Sequence, residues 1–348
     1  MILIENADRT EKNPSLEIVT DLMWKDTVVA TFTLYLRPFG ANVELVNVIQ
    51  ADLMPLPISY NKTDILNWLT ARGFQIHSHR NINFIGQALM EDNRKDWLPV
   101  VLSLQTNSVS ISDKYWLNPH QTHDFFFNSA HIVFKNTTWD KVNPFQNTYS
   151  PCKMDEIALY DLFHFPIHDP FASNSLVWTT HGDKSKRWIV KDKCFYLEKK
   201  VSSSDLSSEI RTLEFFSQRG IMVPEYEHIS RQVRDDESHF YDIVTHEDGI
   251  HVITKKCFVD DDSYFISACY FMDGERDIES LIKKMCYKHS VKWSQTRRFV
   301  KSIKAFMKEF CVEDHLINTS NFGLLVRPSG AVPVVIGRLG IPVIIWNI

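Results

Sequence analysis

No C-x-x-C pair occurs in this sequence of 348 residues; its six cysteines, Cys152, Cys194, Cys257, Cys269, Cys286 and Cys311, are widely spaced and mostly sit in apolar segments. That removes a paired-cysteine redox or zinc motif, and the thiols read as reduced core residues of a cytoplasmic protein. Also missing is the unbroken span of about 20 apolar residues needed to cross a bilayer. The apolar tail over 331–348 is interrupted by Pro333, Arg338, Gly340 and Pro342 and reads as buried strands. Glu5, Asp8, Arg9, Glu11 and Lys12 break up the first residues, so no secretory leader is expected. There is no excess of positive charge: 38 Lys and Arg stand against 43 Asp and Glu, a formal net charge of -5. This disfavours a chain whose whole surface serves nucleic acid, while leaving room for a local basic patch. Low-complexity linkers and internal repeats are absent. What remains, 44% hydrophobic and 23% charged residues, is an ordinary soluble composition, long enough for two or three domains.

The alternation of DLMWKDTVVATFTLYL, Asp21 to Leu36, breaks at Asp26 and predicts a two-stranded hairpin, with Val43 to Ile49 as a third strand. Helices are predicted from Lys62 to Arg72 and from Asn81 to Asp92, and a further strand over Val109 to Leu117. An aromatic-rich connector follows between Asn118 and Asp155. His120 and His123 in it form an H-x-x-H near Asp124, but no further ligands complete a tetrahedral zinc set. In the second half, strands are predicted at Arg187–Lys191 and Cys194–Lys199. A helix from Asp205 as N-cap to Arg219 follows, with Leu206, Ile210, Leu213 and Phe216 on one face and Gly220 as its stop. Strands at Phe240–Val244 and His251–Ile253, a helix near Ile278–Tyr287, a strong helix over Ser294–Cys311, and a hairpin from Leu324 to Ile336 complete the reading.

Four blocks, in order, carry a resemblance. SISDKYWLNP at Ser110–Pro119, TTWDKVNPFQNTYS at Thr137–Ser150, TTHGDKSKRWIV at Thr179–Val190 and VEDHLINTSNFG at Val312–Gly323 resemble conserved blocks of the HipA-like serine/threonine kinases, particularly their shorter Firmicutes-type relatives. The resemblance implies an α+β chain with a bilobal HipA-like protein-kinase fold. Residues 1–150 form an N-terminal α+β subdomain with its aromatic connector, 151–265 a kinase N-lobe, and 266–348 a truncated helical C-lobe, since the chain stops at Ile348 soon after the expected metal-binding turn.

By residue type alone, Lys199 reads as a solvated strand lysine and Glu209 as an exposed helix residue. The resemblance instead makes Lys199, in YLEKK, the ATP-contacting lysine and Glu209 the helix glutamate that holds it. Thr179, Thr180, Gly182 and Lys186 fall in the turn that would present backbone N–H groups and an ammonium to phosphate oxygens; the turn has one glycine and also fits an ordinary hairpin. The catalytic elements are degenerate. The Asp-Arg-His portion expected between Thr319 and Ser320 is missing, Leu316 stands where the catalytic aspartate is expected, and Ile336 replaces the aspartate that grips magnesium. Asp314 matches the family's structural aspartate and is the nearest carboxylate to a catalytic role, while Asn321 matches the metal-binding asparagine. A shifted register substitutes Glu313 and Asn318.

Three functions stay open at this point. The first is a pseudokinase acting as a regulatory or protein-binding module, with ATP as ligand, compromised Mg2+ binding, and an antitoxin-like or other protein partner in a bacterial cytoplasm. The second is an active toxin–antitoxin-type kinase using the displaced ligands. The third is a nucleic-acid-associated factor using Lys283, Lys284, Lys288, Lys292, Arg297, Arg298, Lys301, Lys304 and Lys308; these lysines and arginines equally make a solubilising face. No membrane association is expected.

Overall fold

The computed structural model describes residues 16–37, 40–55, 58, 65–72, 107–120, 137–145, 186–191, 194–231, 250–272 and 277–340. They form an α+β protein of three antiparallel sheets and five α-helices among the described residues. The expected helix over 81–92, the strand over 240–244 and the turn at 179–182 lie outside the described residues.

The first sheet contains β1 (Leu16–Trp24), β2 (Thr27–Arg37), β3 (Gly40–Val48) and β4 (Tyr115–Pro119), ordered β3-β2-β1-β4. Alternation turns Ile18, Thr20 and Leu22 inward, and Phe32 and Leu34 of β2 join them in a core closed by Trp68 and Leu69 of α1 (Ile65–Arg72). The strand expected from Val109 starts only at Tyr115. Asn107 and Ser108 take left-handed backbone angles, and Ser110 and Asp113 hydrogen-bond their own chain two residues on, at Ser112 N and Tyr115 N. These local turns displace the ladder.

The second sheet has the order β5-β6-β8-β7, from β5 (Lys186–Lys191), β6 (Cys194–Val201), β7 (Tyr226–Arg231) and β8 (Ile250–Lys256). Helix α3 (Ser203–Gln218), which follows the one-turn α2 (Trp139–Val142) in chain order, packs across this sheet. Its N-cap is Ser202, three residues before the expected Asp205: the Ser202 hydroxyl accepts from the Asp205 backbone N–H at 3.1 Å. The helix ends at Gln218, and Gly220, just beyond the Arg219 cap, has a φ of +67° that suits a residue without a side chain.

The third sheet, β11-β10-β9, joins β9 (Tyr264–Ser267), β10 (Phe322–Arg327) and β11 (Gly330–Val335). The expected boundary at 265/266 falls inside β9. Helices α4 (Ile278–Lys288) and α5 (Trp293–Phe310) bury Leu281, Ile282, Phe299, Ile303 and Phe306 against this sheet and against Phe215 and Phe216 of α3, in the largest apolar cluster. Cys311 caps α5 in the left-handed conformation, φ +51°, and is exposed, unlike the core thiol expected there. β7 and β9 have no counterpart among the predicted strands.

The first sheet's unit grips the segment that leaves β8. The Lys114 ammonium donates to the Asp260 carbonyl and lies 4.1 Å from the centre of the Phe145 ring. Asn143 Nδ2 donates to Asp261 Oδ1 at 2.9 Å, and Phe265 N donates to Ser112 O at 2.8 Å. Among the described residues, no helix is long and apolar enough to cross a membrane.

Candidate functional site

In β8 the residues 251, 253 and 255 turn to the same face, and His251, Ile253 and Lys255 are all buried. Lys199 of β6 pairs directly with Ile253, and Leu197 with Lys255, so the two lysines are diagonal neighbours on one side of the sheet. α3 crosses that side. Its inward stripe reads Leu206, Glu209, Leu213, Phe216, with spacings of three, four and three residues, so a carboxylate replaces an apolar residue in a core-facing row.

The Glu209 side chain is 1% exposed and receives both ammonium groups: Lys199 Nζ donates to Oε2 at 2.5 Å and Lys255 Nζ to Oε1 at 2.6 Å. Burial alone would raise the Glu209 carboxyl. The charges of Lys255 and then Lys199 outweigh it and hold the group down at about 2. Burial foremost pushes the Lys199 ammonium down, with Lys255 adding to the effect and Glu209 opposing it.

Lys255 reaches one step further, donating to the Ile336 carbonyl at 2.6 Å. The chain just after β11 is thereby tied to the second sheet. Ile336 N donates to the Asn321 carbonyl at 2.8 Å, Asn321 Nδ2 donates to Arg338 O at 2.6 Å, and Arg338 Nη1 donates to Asp205 Oδ1, one turn before Glu209 on α3. Three segments distant in sequence thus meet around one carboxylate.

Of the residues singled out from sequence, Lys199 and Glu209 come together, and Asn321 joins them through the 336–338 segment. Lys186 opens β5 opposite Lys199 in the ladder, whereas Thr179, Thr180 and Gly182 lie outside the described residues. Asp314 stands elsewhere. Its carboxylate accepts from Ile278 N at 3.5 Å at the start of α4, in a cleft of about 410 Å³ that it shares with Asp277, Glu279, Lys283 and Lys304 and that Lys199, Glu209 and Lys255 do not line. Glu313 is 66% exposed and contacts His315 Nδ1 at 3.3 Å. Asn318 Oδ1 accepts from Ser320 N at 3.1 Å. Within the basic helices, Glu279 pairs with Lys283 at 2.5 Å and with Lys304. His120 contacts Asp21 at 3.0 Å.

Sequence reading missed Lys255. The signal was available in the alternation His251, Ile253, Lys255, which places a lysine on the buried face of a strand.

The residues around the turn do not fit a magnesium ion. Mg2+ demands near-octahedral oxygen ligation, usually with one or two carboxylates. Here Ile336 brings no side-chain oxygen, and its carbonyl is taken by Lys255. Asn318 Oδ1 already accepts from Ser320 N, and Asp205 Oδ1 from Arg338. Among the described residues no group of three or more His, Cys, Asp and Glu could hold a metal ion.

No family model and no curated protein matches this chain. Among solved structures, the crystal structure of the Helicobacter pylori proinflammatory kinase CtkA is similar at 13% identity and a TM-score of 0.28. The match covers 43% of this chain and 53%, about half, of that one. A score of this size assigns no shared fold.

Proposed function

We propose that this chain is a HipA-like, kinase-fold pseudokinase: a bilobal protein that has lost efficient phosphoryl transfer and serves as a cytoplasmic regulatory or protein-binding module with a protein partner. The carrying observation is the pairing of Lys199, on a central strand, with Glu209, on the helix that follows, which Lys255 links to the carbonyl of Ile336, where the resemblance expects an acid. A working protein kinase uses a strand lysine held by a helix glutamate to fix the α- and β-phosphates. It needs in addition an aspartate to position the acceptor hydroxyl and an aspartate on the metal. The Lys199–Glu209 pair supports the first part of that set, and Leu316 and Ile336, standing where the resemblance expects the two aspartates, speak against the second.

The expected cost of the missing parts is large. Loss of a general base alone slows reaction about 10²- to 10⁴-fold, roughly 3–5 kcal/mol of barrier. Without carboxylates to hold the metal, the charge that develops on the transferring phosphoryl group is left without its main counter-ion. Against the displaced ligands Glu313 and Asn318 speak the exposure of the first and the bond that the second accepts from Ser320 N within its own turn.

Intact-mass spectrometry of the full chain after incubation with ATP and Mg2+ or Mn2+ tests this reading. No added phosphate is expected. Phosphate incorporation that disappears in Lys199→Ala would overturn it.

A further inference from the structure

We infer that the Lys199–Glu209–Lys255 cluster binds a polyphosphate chain without a divalent ion, Lys255 supplying as a tethered ammonium the positive charge that the metal supplies in a working kinase. The identification of the chain's source as a nucleotide rests on the kinase-like reading above; the anion site itself rests only on the geometry of the cluster.

Charge counting comes first. Two ammonium groups share one carboxylate, and the adjacent Asp205 is already engaged by Arg338, so the three cations Lys199, Lys255 and Arg338 face the two anions Glu209 and Asp205. Among the described residues of this cluster one positive charge is left over, and the Lys199 and Lys255 side chains are only 16% and 10% exposed. A buried, uncompensated charge is costly, and an anion that enters relieves the cost.

Donor counting agrees. Two ammonium groups carry six N–H donors. Contacts among the described residues use three of them: Lys199 to Glu209, and Lys255 to Glu209 and to Ile336 O. Three N–H donors remain, on two nitrogens that flank the Glu209 carboxylate. Glu209 keeps both ammonium groups ordered before any ligand arrives, which lowers the ordering cost of binding.

Position supplies the link to the metal. Lys255 bonds the carbonyl of Ile336, the residue that stands in for the metal-gripping aspartate. A fixed ammonium next to that turn would repel a divalent cation and attract the oxygens that cation would otherwise bridge. Free Mg2+, by neutralising the phosphates, should then bring no gain.

Isothermal titration of the full chain with ATP, ADP and inorganic triphosphate, each in EDTA and in excess Mg2+, tests the inference. Binding in EDTA is expected, with Mg2+ leaving affinity unchanged or lowering it. Lys255→Met should weaken binding about 10- to 100-fold, the worth of one charge-assisted hydrogen bond, and Lys255→Arg should retain most of it. The inference is overturned by binding that requires Mg2+, by no binding of any of the three compounds, or by unchanged affinity in Lys255→Met. The wild-type comparison of EDTA with Mg2+ decides the matter even if that variant fails to fold. Triphosphate binding as tightly as ATP would support the anion site while removing the nucleotide as the source of the phosphate chain. Phosphate transfer in the mass assay would remove the pseudokinase reading and leave the EDTA result to be read separately.

Discussion

Replacing Glu209 by glutamine strikes the centre of the cluster with almost no change in volume. The two ammonium groups hold the wild-type carboxyl at about 2, below its ordinary 4.5, so its ionised form contributes folding free energy on the order of a few kcal/mol at neutral pH. Because the folded-state value is depressed, that contribution is fully present above about pH 4.5 and is lost as pH falls towards 2. Glutamine leaves two ammonium groups facing each other in a buried site, and breaking a buried ion pair by removing one partner costs about 3–5 kcal/mol. Urea unfolding of wild type and Glu209→Gln at pH 7 should therefore differ by about that amount, and the gap should narrow between pH 5 and pH 3. Adding Lys255→Met to Glu209→Gln should recover part of the loss, because only one ammonium then remains unpaired. A loss below about 1 kcal/mol, or a gap that stays constant with pH, would refute the picture of a buried carboxylate clamped by two cations.

Other parts of the fold give sharp expectations. A Cβ on Gly323 would lie 1.9 Å from the Ile266 carbonyl oxygen of the neighbouring strand, so Gly323→Ala should force β9 and β10 apart and cost about 3 kcal/mol in denaturant unfolding. Ser202→Ala removes the N-cap bond to Asp205 and should cost about 1 kcal/mol by the same measurement. Lys114 is pushed down to about 8 by burial, so between pH 8 and 10.5 the unfolded chain holds a proton that the folded chain has released. Relative to Lys114→Met, the wild type should gain on the order of 3 kcal/mol across that window, and a flat difference would contradict the assignment.

Alternation was legible in the longer strands with one apolar buried face. The hairpin of β1 and β2 with its turn at Lys25 and Asp26, and the hairpin of β10 and β11, both follow from it. Helix α5 was equally plain, because Val300, Ile303, Met307 and Phe310 recur at helical spacing between lysines, although Phe299 and Phe306 are buried more deeply than Met307 and Phe310. β7 escaped because YEHISR is an edge strand with mostly solvated side chains, Ile229 among them. β9 escaped because its four residues are too few to establish a period. The site was half legible. Its Lys199 and Glu209 came from a resemblance between short blocks, since residue type alone argued for two exposed charges. Lys255 was hidden because the strand was read as ending at Ile253, where apolar residues give way to Thr254, Lys255 and Lys256. A buried lysine looks like a strand end until the partner carboxylate is in view, and that partner lies 46 residues earlier in the chain.

The most direct test of the central claim is a crystal structure grown with ATP and Mn2+, with anomalous data collected for manganese. The account predicts phosphate oxygens within hydrogen-bond distance of Lys199 Nζ and Lys255 Nζ and no manganese peak beside Ile336. A manganese ion held between the phosphates and Asn321 would contradict it.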